Sequence, residues 1–267
     1  MSGIRLLLSD IDGTLLRPDH SLSAENIAAV HALRESGVLF SIASSRPPRA
    51  MRLLIDSLHV DLPTVAFNGA NIVNPDGSLL AAHRLDPQAA RTSLDLFGQH
   101  PVAVWVFADD QWLLVDPKGD YVEHERNTLG YDPVLVERFT PWLERIDKLV
   151  AASTDFELLR RLEGELNPLI AETAVAARSQ RYYLDVTARE ANKGAALVAL
   201  ARACHVDLRD TAAIGDGGND VAMFRQAGLA IAMGQAEAHV RAAAHAVTGS
   251  NLEDGLAQAI RQRILSR

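Results

Sequence analysis

The chain of 267 residues lacks several features that would assign it to a special class of protein. Its single cysteine, Cys204, excludes an internal disulfide and is typical of a reducing compartment. No apolar stretch approaches the roughly 20 residues that a membrane helix needs. No secretory signal is visible near the amino terminus, and there is no run of basic residues. We therefore expect a cytoplasmic protein that is not embedded in a membrane.

The charge balance excludes further partners. Asp and Glu number 34 against 26 Lys and Arg, which gives a formal net charge of −8. An acidic chain of this kind is a poor match for a nucleic-acid backbone, and it does not suggest a surface attracted to anionic lipid. An anionic substrate would need local positive charge at its site, from a metal or from particular Lys and Arg side chains.

Aromatic residues make up only 5% of the chain, and their distribution divides it. All tryptophans and tyrosines fall between residues 105 and 183. The pattern there predicts two hairpins: one with a turn at Asp109-Asp110, and one that joins Ile170–Ala177 with Arg181–Val186 through Ser179-Gln180. On both sides of this region, continuous apolar strands alternate with helical patterns, which predicts a parallel sheet covered on both faces. We therefore predict an α/β core of residues 1–84 and 187–267, with an α+β domain of residues 85–186 inserted into it.

The most informative segment is Asp10-Ile11-Asp12-Gly13-Thr14, which follows a short apolar strand. Two carboxylates this close at the end of a buried strand repel each other, so they favour a bound cation or a raised pKa in one of them. Ligands of α/β proteins bind at the carboxyl ends of strands, where both acids would lie. The alternative is an Asx-type turn, because Asp-Gly is a common turn pair.

A second acidic segment, Gly215-Asp216-Gly217-Gly218-Asn219-Asp220, follows another predicted strand. Its glycines allow a ligand to approach the backbone, and its carboxylates and amide are hard oxygen ligands. Taken alone, it could be a glycine-rich loop with solvated acids. Two acidic segments at one edge of a sheet together predict a site for a divalent cation, most naturally Mg²⁺.

Two elements between these segments suit a phosphate group. Ser44-Ser45-Arg46 offers hydroxyls, backbone N–H groups and a guanidinium near a predicted helix start, although the composition is also that of an ordinary loop. Lys193 opens the helix that follows the inserted domain, and it would direct an ammonium to the same edge. A lone lysine at a helix start is otherwise a solvated residue.

These four pieces, in this order, resemble the four motifs of haloacid dehalogenase-like (HAD) phosphatases. The inserted domain resembles the large cap of the Cof-type sugar-phosphatase subclass, and Phe67-Asn68-Gly69-Ala70 resembles a segment typical of that subclass. One departure is Ser44-Ser45-Arg46, where the subclass usually has Thr-Gly-Arg: Ser44 keeps the hydroxyl, whereas Ser45 restricts the backbone. The resemblance implies a Rossmann-like core with a parallel sheet and a large α+β cap.

The resemblance also implies a role for individual residues. Asp10 would be the nucleophile that forms an aspartyl-phosphate, and Asp12 the general acid and base. Mg²⁺ would be held by Asp10, the backbone carbonyl of Asp12 and Asp216, with Asp220 as a ligand through water or as a support. Lys193 would hold phosphoryl oxygens and is counted among the catalytic residues. The implied substrate-binding residues are Ser44, Ser45, Arg46, Asn68, Gly69 and Asn219.

The sequence therefore predicts a Mg²⁺-dependent phosphatase of small phosphorylated metabolites, with sugar phosphates favoured. One alternative is a phosphomutase or phosphotransferase on the same core, which shares the aspartyl-phosphate step. Another is a non-catalytic sensor of phosphorylated metabolites, although such a protein commonly loses the nucleophile, the lysine or the acids of the fourth motif. The sequence assigns neither a particular substrate nor an oligomeric state.

Overall fold

The computed structural model describes residues 3–266 and contains two compact units. The first unit comprises Met1–Ser44, Arg52–Leu80 and Asn192–Arg267. The second comprises Ser45–Met51 and Ala81–Ala191. Among the residues described, no helix combines the length and the apolar character needed to cross a bilayer.

The strands of the described residues are short, and most are largely buried. In chain order they are β1 (Leu6–Asp10), β2 (Leu39–Ala43), β3 (Thr64–Ala66), β4 (Asn71–Val73), β5 (Leu79–Ala82), β6 (Ala103–Ala108), β7 (Gln111–Leu114), β8 (Val134–Leu135), β9 (Ile146–Ala152), β10 (Ala174–Gln180), β11 (Tyr183–Ala188), β12 (Thr211–Gly215), β13 (Leu229–Ala232) and β14 (Ala246–Val247).

The α-helices range from one turn to four turns. In chain order they are α1 (Ala24–Glu35), α2 (Arg52–Leu58), α3 (Pro87–Phe97), α4 (Val122–Leu129), α5 (Phe156–Ile170), α6 (Lys193–Ala203), α7 (Val221–Phe224), α8 (Ala238–Ala242) and α9 (Gly255–Ala259). A π-helical segment, Ile260–Leu265, continues α9.

The first unit is built on an eight-stranded sheet in the order β14-β13-β12-β1-β2-β3-β4-β5. The pairs from β14 to β3 are parallel, and β4 runs antiparallel to β3. All five residues of β1 are buried, as expected for a strand that is covered on both faces. The predicted α/β fold is therefore confirmed. Because β1 lies between β12 and β2, the residues that follow these three strands meet at one edge of the sheet.

Local signals fix the ends of the helices that support this edge. Ser23 caps α1 by accepting a hydrogen bond from the N–H of Asn26 at 3.1 Å, and the chain leaves that helix through Gly37. Asn192 caps α6 in the same way, accepting from the N–H of Ala195 at 2.9 Å. Lys193 is thereby fixed as the first residue of α6.

The second unit contains a six-stranded sheet in the order β10-β11-β9-β6-β7-β8. Its strands pair antiparallel except for β7 with β8. Buried leucines and alanines on one face of this sheet pack with α3 and α5 in one apolar core. The predicted turn at Asp109-Asp110 is present, with φ of 50° and 59°, because aspartate tolerates the left-handed backbone that a tight hairpin needs.

The second predicted hairpin is present, but its predicted position in the sequence is wrong. We expected its first strand at Ile170–Ala177 and its turn at Ser179-Gln180, whereas β10 starts at Ala174 and the turn lies at Arg181-Tyr182. The reason is that Ile170 is the last member of a buried stripe with helical spacing on α5. Helix packing, and not strand pairing, decides the structure at Ile170.

Candidate active site

Three carboxylates meet at the carboxyl edge of the first unit's sheet. Asp10 is the last residue of β1, while Asp216 and Asp220 follow the adjacent strand β12. One oxygen atom from each lies within 4.8 Å of the others. Asp10 is 6% exposed and Asp220 is fully buried, so both have lost most of their contact with water. The two acidic segments predicted to share an edge are thus brought together.

A buried ammonium lies between two of these carboxylates. Lys193 is fully buried, and its Nζ donates to Asp10 Oδ1 at 2.5 Å and to Asp220 Oδ1 at 2.6 Å. A charge in this position would be strongly unfavourable without its partners. Through these two bonds, Lys193 connects the start of α6 with the end of β1 and with the loop after β12.

Asp220 organises the loop that follows β12. Its Oδ2 accepts hydrogen bonds from the N–H groups of Asp216 and Gly217, both at 2.9 Å. Its Oδ1 is the atom bound to Lys193. Because both oxygens are engaged, the geometry favours Asp220 as a support for a metal site over Asp220 as a direct ligand.

Asp216 has weaker contacts and is only partly buried. Its Oδ1 accepts from the Thr14 hydroxyl at 3.3 Å, and its Oδ2 lies 3.5 Å from Nε2 of Gln235. The same Nε2 donates to the carbonyl of Gly13 at 2.6 Å, while Oε1 of Gln235 accepts from the N–H of Asn251 at 3.1 Å. Gln235 thus links three loops at this edge. No sequence motif marks Gln235.

Gly13 is required by the approach of Asp216. Its φ is 84°, and a Cβ at this position would collide with the Asp216 carboxylate. Any other residue would therefore be strained and would also displace the acid. The close packing of the turn after Asp12 against the loop after β12 therefore depends on this glycine.

The density of negative charge shifts the protonation equilibria. Burial raises the pKa of Asp10 well above its ordinary value; Lys193 opposes this shift, whereas Asp220 and Asp216 add to it. Burial and the neighbouring Asp220 raise the pKa of Asp216 to about 6. For Lys193, burial acts to lower the pKa, but Asp10 and Asp220 overcome it and raise the pKa above its ordinary value. Fully ionised, the three carboxylates and one ammonium leave two negative charges, which suit a divalent cation.

Asp12 lies apart from this cluster. Its side chain is 39% exposed, and its Oδ1 is 3.3 Å from Nδ1 of His20. The expected contact of its backbone carbonyl with a metal stays a prediction. His20 belongs to none of the four motifs.

Four of the predicted substrate-binding residues lie in the first unit. The carbonyl of buried Ser44 accepts from the N–H of Asn68 at 2.7 Å, and the side chain of Asn219 donates to that of Asn68 at 2.9 Å. Gly69 has φ of 109°, and a Cβ there would collide with the backbone of Asn192. Gly69 therefore lets the cap residue of α6, and with it Lys193, pack closely.

Ser45 and Arg46 belong to the segment that clusters with the second unit. Both are half-buried. Within that unit, burial raises the pKa of Glu125, while Lys148 and, less strongly, Arg46 act to lower it. The structure thus does not group Ser45 and Arg46 with Ser44, and their predicted contact with substrate stays a prediction.

The chain is similar over nearly its whole length to known proteins. Residues 7–260 match the family described as haloacid dehalogenase-like hydrolase. The 5-amino-6-(5-phospho-D-ribitylamino)uracil phosphatase YcsE of Bacillus subtilis (strain 168) is 28% identical over 262 residues, covering 98% of this chain and 96% of that protein. A solved haloacid dehalogenase-like hydrolase from Bacteroides thetaiotaomicron has a TM-score of 0.87 at 24% identity, covering 97% and 98% of the two chains. A sugar phosphatase of HAD subclass IIB has a TM-score of 0.84 at 26% identity, covering 96% and 98%.

Replacing Lys193 by methionine should lower the free energy of unfolding by about 3–5 kcal/mol, because two buried carboxylates lose their shared cation. Lys193→Met/Asp220→Asn should recover part of this loss: asparagine removes one charge but keeps an oxygen for the N–H groups of Asp216 and Gly217.

Lys148→Met, in the Lys148–Asp185 pair at 2.9 Å, is the matched control, and Asp220→Asn should not rescue it. Urea unfolding of the wild type and of these four variants measures the differences. A loss below about 1 kcal/mol for Lys193→Met would contradict the assigned electrostatics.

Proposed function

The chain belongs to the family of haloacid dehalogenase-like hydrolases, and we propose that within it the protein is a Mg²⁺-dependent phosphatase of small phosphorylated metabolites. The family resemblance and the hydrolase class predicted from the four motifs are confirmed. The observation that carries the proposal is the placement of Asp10, with its buried partner Lys193, beside Asp216 and Asp220 at one strand edge. This arrangement offers both a carboxylate nucleophile and a cation site.

The residues present fit a divalent metal. Asp10 and Asp216 would contribute carboxylates, and the backbone carbonyl of Asp12 would complete the protein ligands, with Asp220 as a support. Hard oxygen donors with two excess negative charges are the set that Mg²⁺ prefers. When bound, Mg²⁺ would neutralise charge between the nucleophile and a phosphate dianion, which otherwise repel each other.

The proposed reaction uses the two acids of the first motif in different ways. Asp10 attacks phosphorus, the bond to the ester oxygen breaks, and an aspartyl-phosphate forms on Asp10. Asp12 donates its proton to the departing oxygen, so that a neutral alcohol leaves. A water molecule then attacks the phosphorus and returns its proton to Asp12. Phosphate leaves, and the Asp10 carboxylate is regenerated.

The remaining residues would bind and orient the phosphoryl group. We assign this role to the Ser44 hydroxyl, the Lys193 ammonium and the Asn219 amide, with the additional substrate-binding set of Ser45, Arg46, Asn68 and Gly69. The hydrogen bond between the side chains of Asn219 and Asn68 supports the proposal that both amides bind the same part of the substrate. Lys193 has a double task, since it also holds the nucleophile.

We propose a phosphorylated sugar or polyol as the substrate class. One similar protein is named a sugar phosphatase, and the name of another describes a substrate with a phosphate on a ribityl chain. Both names describe a phosphate ester on a polyhydroxylated chain. We place the enzyme in the cytoplasm, since a single cysteine suits a reducing compartment.

Asp10→Asn should reduce phosphate release at least about 10³-fold, because an amide cannot form the phosphoryl-enzyme. Hydrolysis of a panel of sugar phosphates, with Mg²⁺ present, measures this. Asp210→Asn is the matched control. Asp210 is also buried, but it lies immediately before β12, at the end of that strand away from the three carboxylates. Retention of more than a tenth of wild-type turnover by folded Asp10→Asn would refute the mechanism. Analysis of the products separates a hydrolase, which yields free phosphate, from a mutase.

Asp216→Asn should stabilise the metal-free protein at pH 7 yet abolish its stabilisation by Mg²⁺. Because the folded-state pKa of Asp216 is raised to about 6, its contribution to stability is full below about pH 4 and is lost as pH rises through 6. Asparagine does not ionise, so it avoids this loss. Melting temperatures with and without Mg²⁺ measure both effects, at about 2–4 °C per kcal/mol. Asp210→Asn should respond to Mg²⁺ like the wild type; a Mg²⁺ response that persists in Asp216→Asn would exclude Asp216 as a ligand.

A further inference from the structure

A tight turn places His20 opposite Asp12. The N–H of Arg17 donates to the carbonyl of Ser21 at 3.0 Å, and the N–H of His20 donates back to the carbonyl of Arg17 at 2.9 Å. Asp19 reinforces the turn, since its Oδ1 accepts from the N–H of Ser21 at 3.0 Å and from its hydroxyl at 2.6 Å. The turn thus has a defined shape that local hydrogen bonds maintain.

This turn is also anchored to the rest of the first unit. Nη2 of Arg17 lies 3.0 Å from both carboxylate oxygens of Asp254. Leu16, which precedes Arg17, is buried, and its carbonyl accepts from Nδ2 of Asn251 at 2.8 Å. An exposed turn would ordinarily be mobile, whereas this one is held at both its base and its side.

The outcome is a defined position for the imidazole. His20 has φ of 61°, and its Nδ1 is 3.3 Å from Asp12 Oδ1, within hydrogen-bond reach. His59 and His205 also have positive φ, but each follows the end of a helix, where the termination of the helix explains the conformation. The turn at His20 is distinguished by the acid that its side chain faces.

Two charged residues near this pair have partners of their own. Arg17 is directed to Asp254, and Asp19 is occupied by Ser21. The Asp12 side chain lies outside the cluster of Asp10, Asp216 and Asp220. With 63% and 39% of their side chains exposed, His20 and Asp12 form a pair that adds little to folding stability. A stabilising role therefore does not explain the pair.

We propose that His20 is a positioning residue: its Nδ1–H donates to the Asp12 carboxylate and holds it where it can pass a proton to the leaving oxygen. This inference rests on the proposed function, in which Asp12 carries that proton. Proton transfer in a transition state depends strongly on the placement of the donor. A hydrogen bond from a fixed turn restricts the rotation of this exposed carboxyl group.

The test compares two substitutions that both tolerate the left-handed backbone. His20→Gly removes the side chain, whereas His20→Asn keeps an N–H donor. Para-nitrophenyl phosphate has a leaving group that departs without a proton, while a sugar phosphate releases an alcohol that needs one. For His20→Gly we expect kcat/KM to fall about 10- to 100-fold with the sugar phosphate and less than about threefold with the aryl ester. His20→Asn should recover most of the loss.

A double-mutant comparison assigns the effect to Asp12. Asp12→Asn alone should produce the same selective loss, and adding His20→Gly to it should cause little further change. The Mg²⁺ concentration that gives half-maximal activity should stay at the wild-type value in His20→Gly. His59→Gly is the matched control, because it makes the same replacement at a positive φ on an exposed loop.

The outcomes separate this inference from the proposed function. Equal losses on both esters, no loss on either, or an effect of His20→Gly that persists undiminished in Asp12→Asn would each overturn the positioning role while leaving a phosphatase. A folded wild-type protein that hydrolyses no phosphate ester would overturn the proposed function and this role with it.

Discussion

The site depends on the ion pairs of one buried ammonium. Lys193 has no exposed surface, and its Nζ contacts carboxylates that are 183 positions before it and 27 positions after it in the chain. An unpaired charge at this depth would cost several kcal/mol, so the three groups can be buried only together. This requirement fixes the end of β1, the start of α6 and the loop after β12 relative to one another. The same contacts hold the carboxylate of Asp10 in one orientation.

Each partner of Lys193 is supported in turn by backbone geometry. Asp220 uses its second oxygen to bind the N–H groups of Asp216 and Gly217, so the loop that bears Asp216 cannot shift independently. On the other side, Asn192 caps α6 and packs against Gly69, where no Cβ is tolerated. These hydrogen bonds and close contacts fix the positions of the acids relative to the sheet. Catalysis by proximity requires such fixed positions.

Much of this arrangement was predictable because its signals are local. Apolar strands followed by acids place Asp10 and Asp216 at one edge once the sheet is known to be parallel, and Asn192 marks the start of α6. Gln235 carries no such signal, since its contacts with Gly13 and Asn251 exist only after three loops have folded together. His20 was missed for a similar reason: the direction of its side chain depends on a left-handed backbone angle. The hairpin error had a different cause, since Ile170 satisfies both a strand pattern and the buried stripe of α5.

The carboxylates that the proposed function needs also lower the stability of the folded protein. Burial and mutual repulsion raise the pKa of Asp10 and Asp216, which means that folding works against their ionisation. A sequence selected for stability alone would replace one of these acids with an amide or an apolar residue. When fully ionised, the three carboxylates exceed the single ammonium by two negative charges, which the proposed divalent cation would offset. Binding of the proposed cation would therefore recover part of the free energy that these acids cost the folding of the metal-free protein.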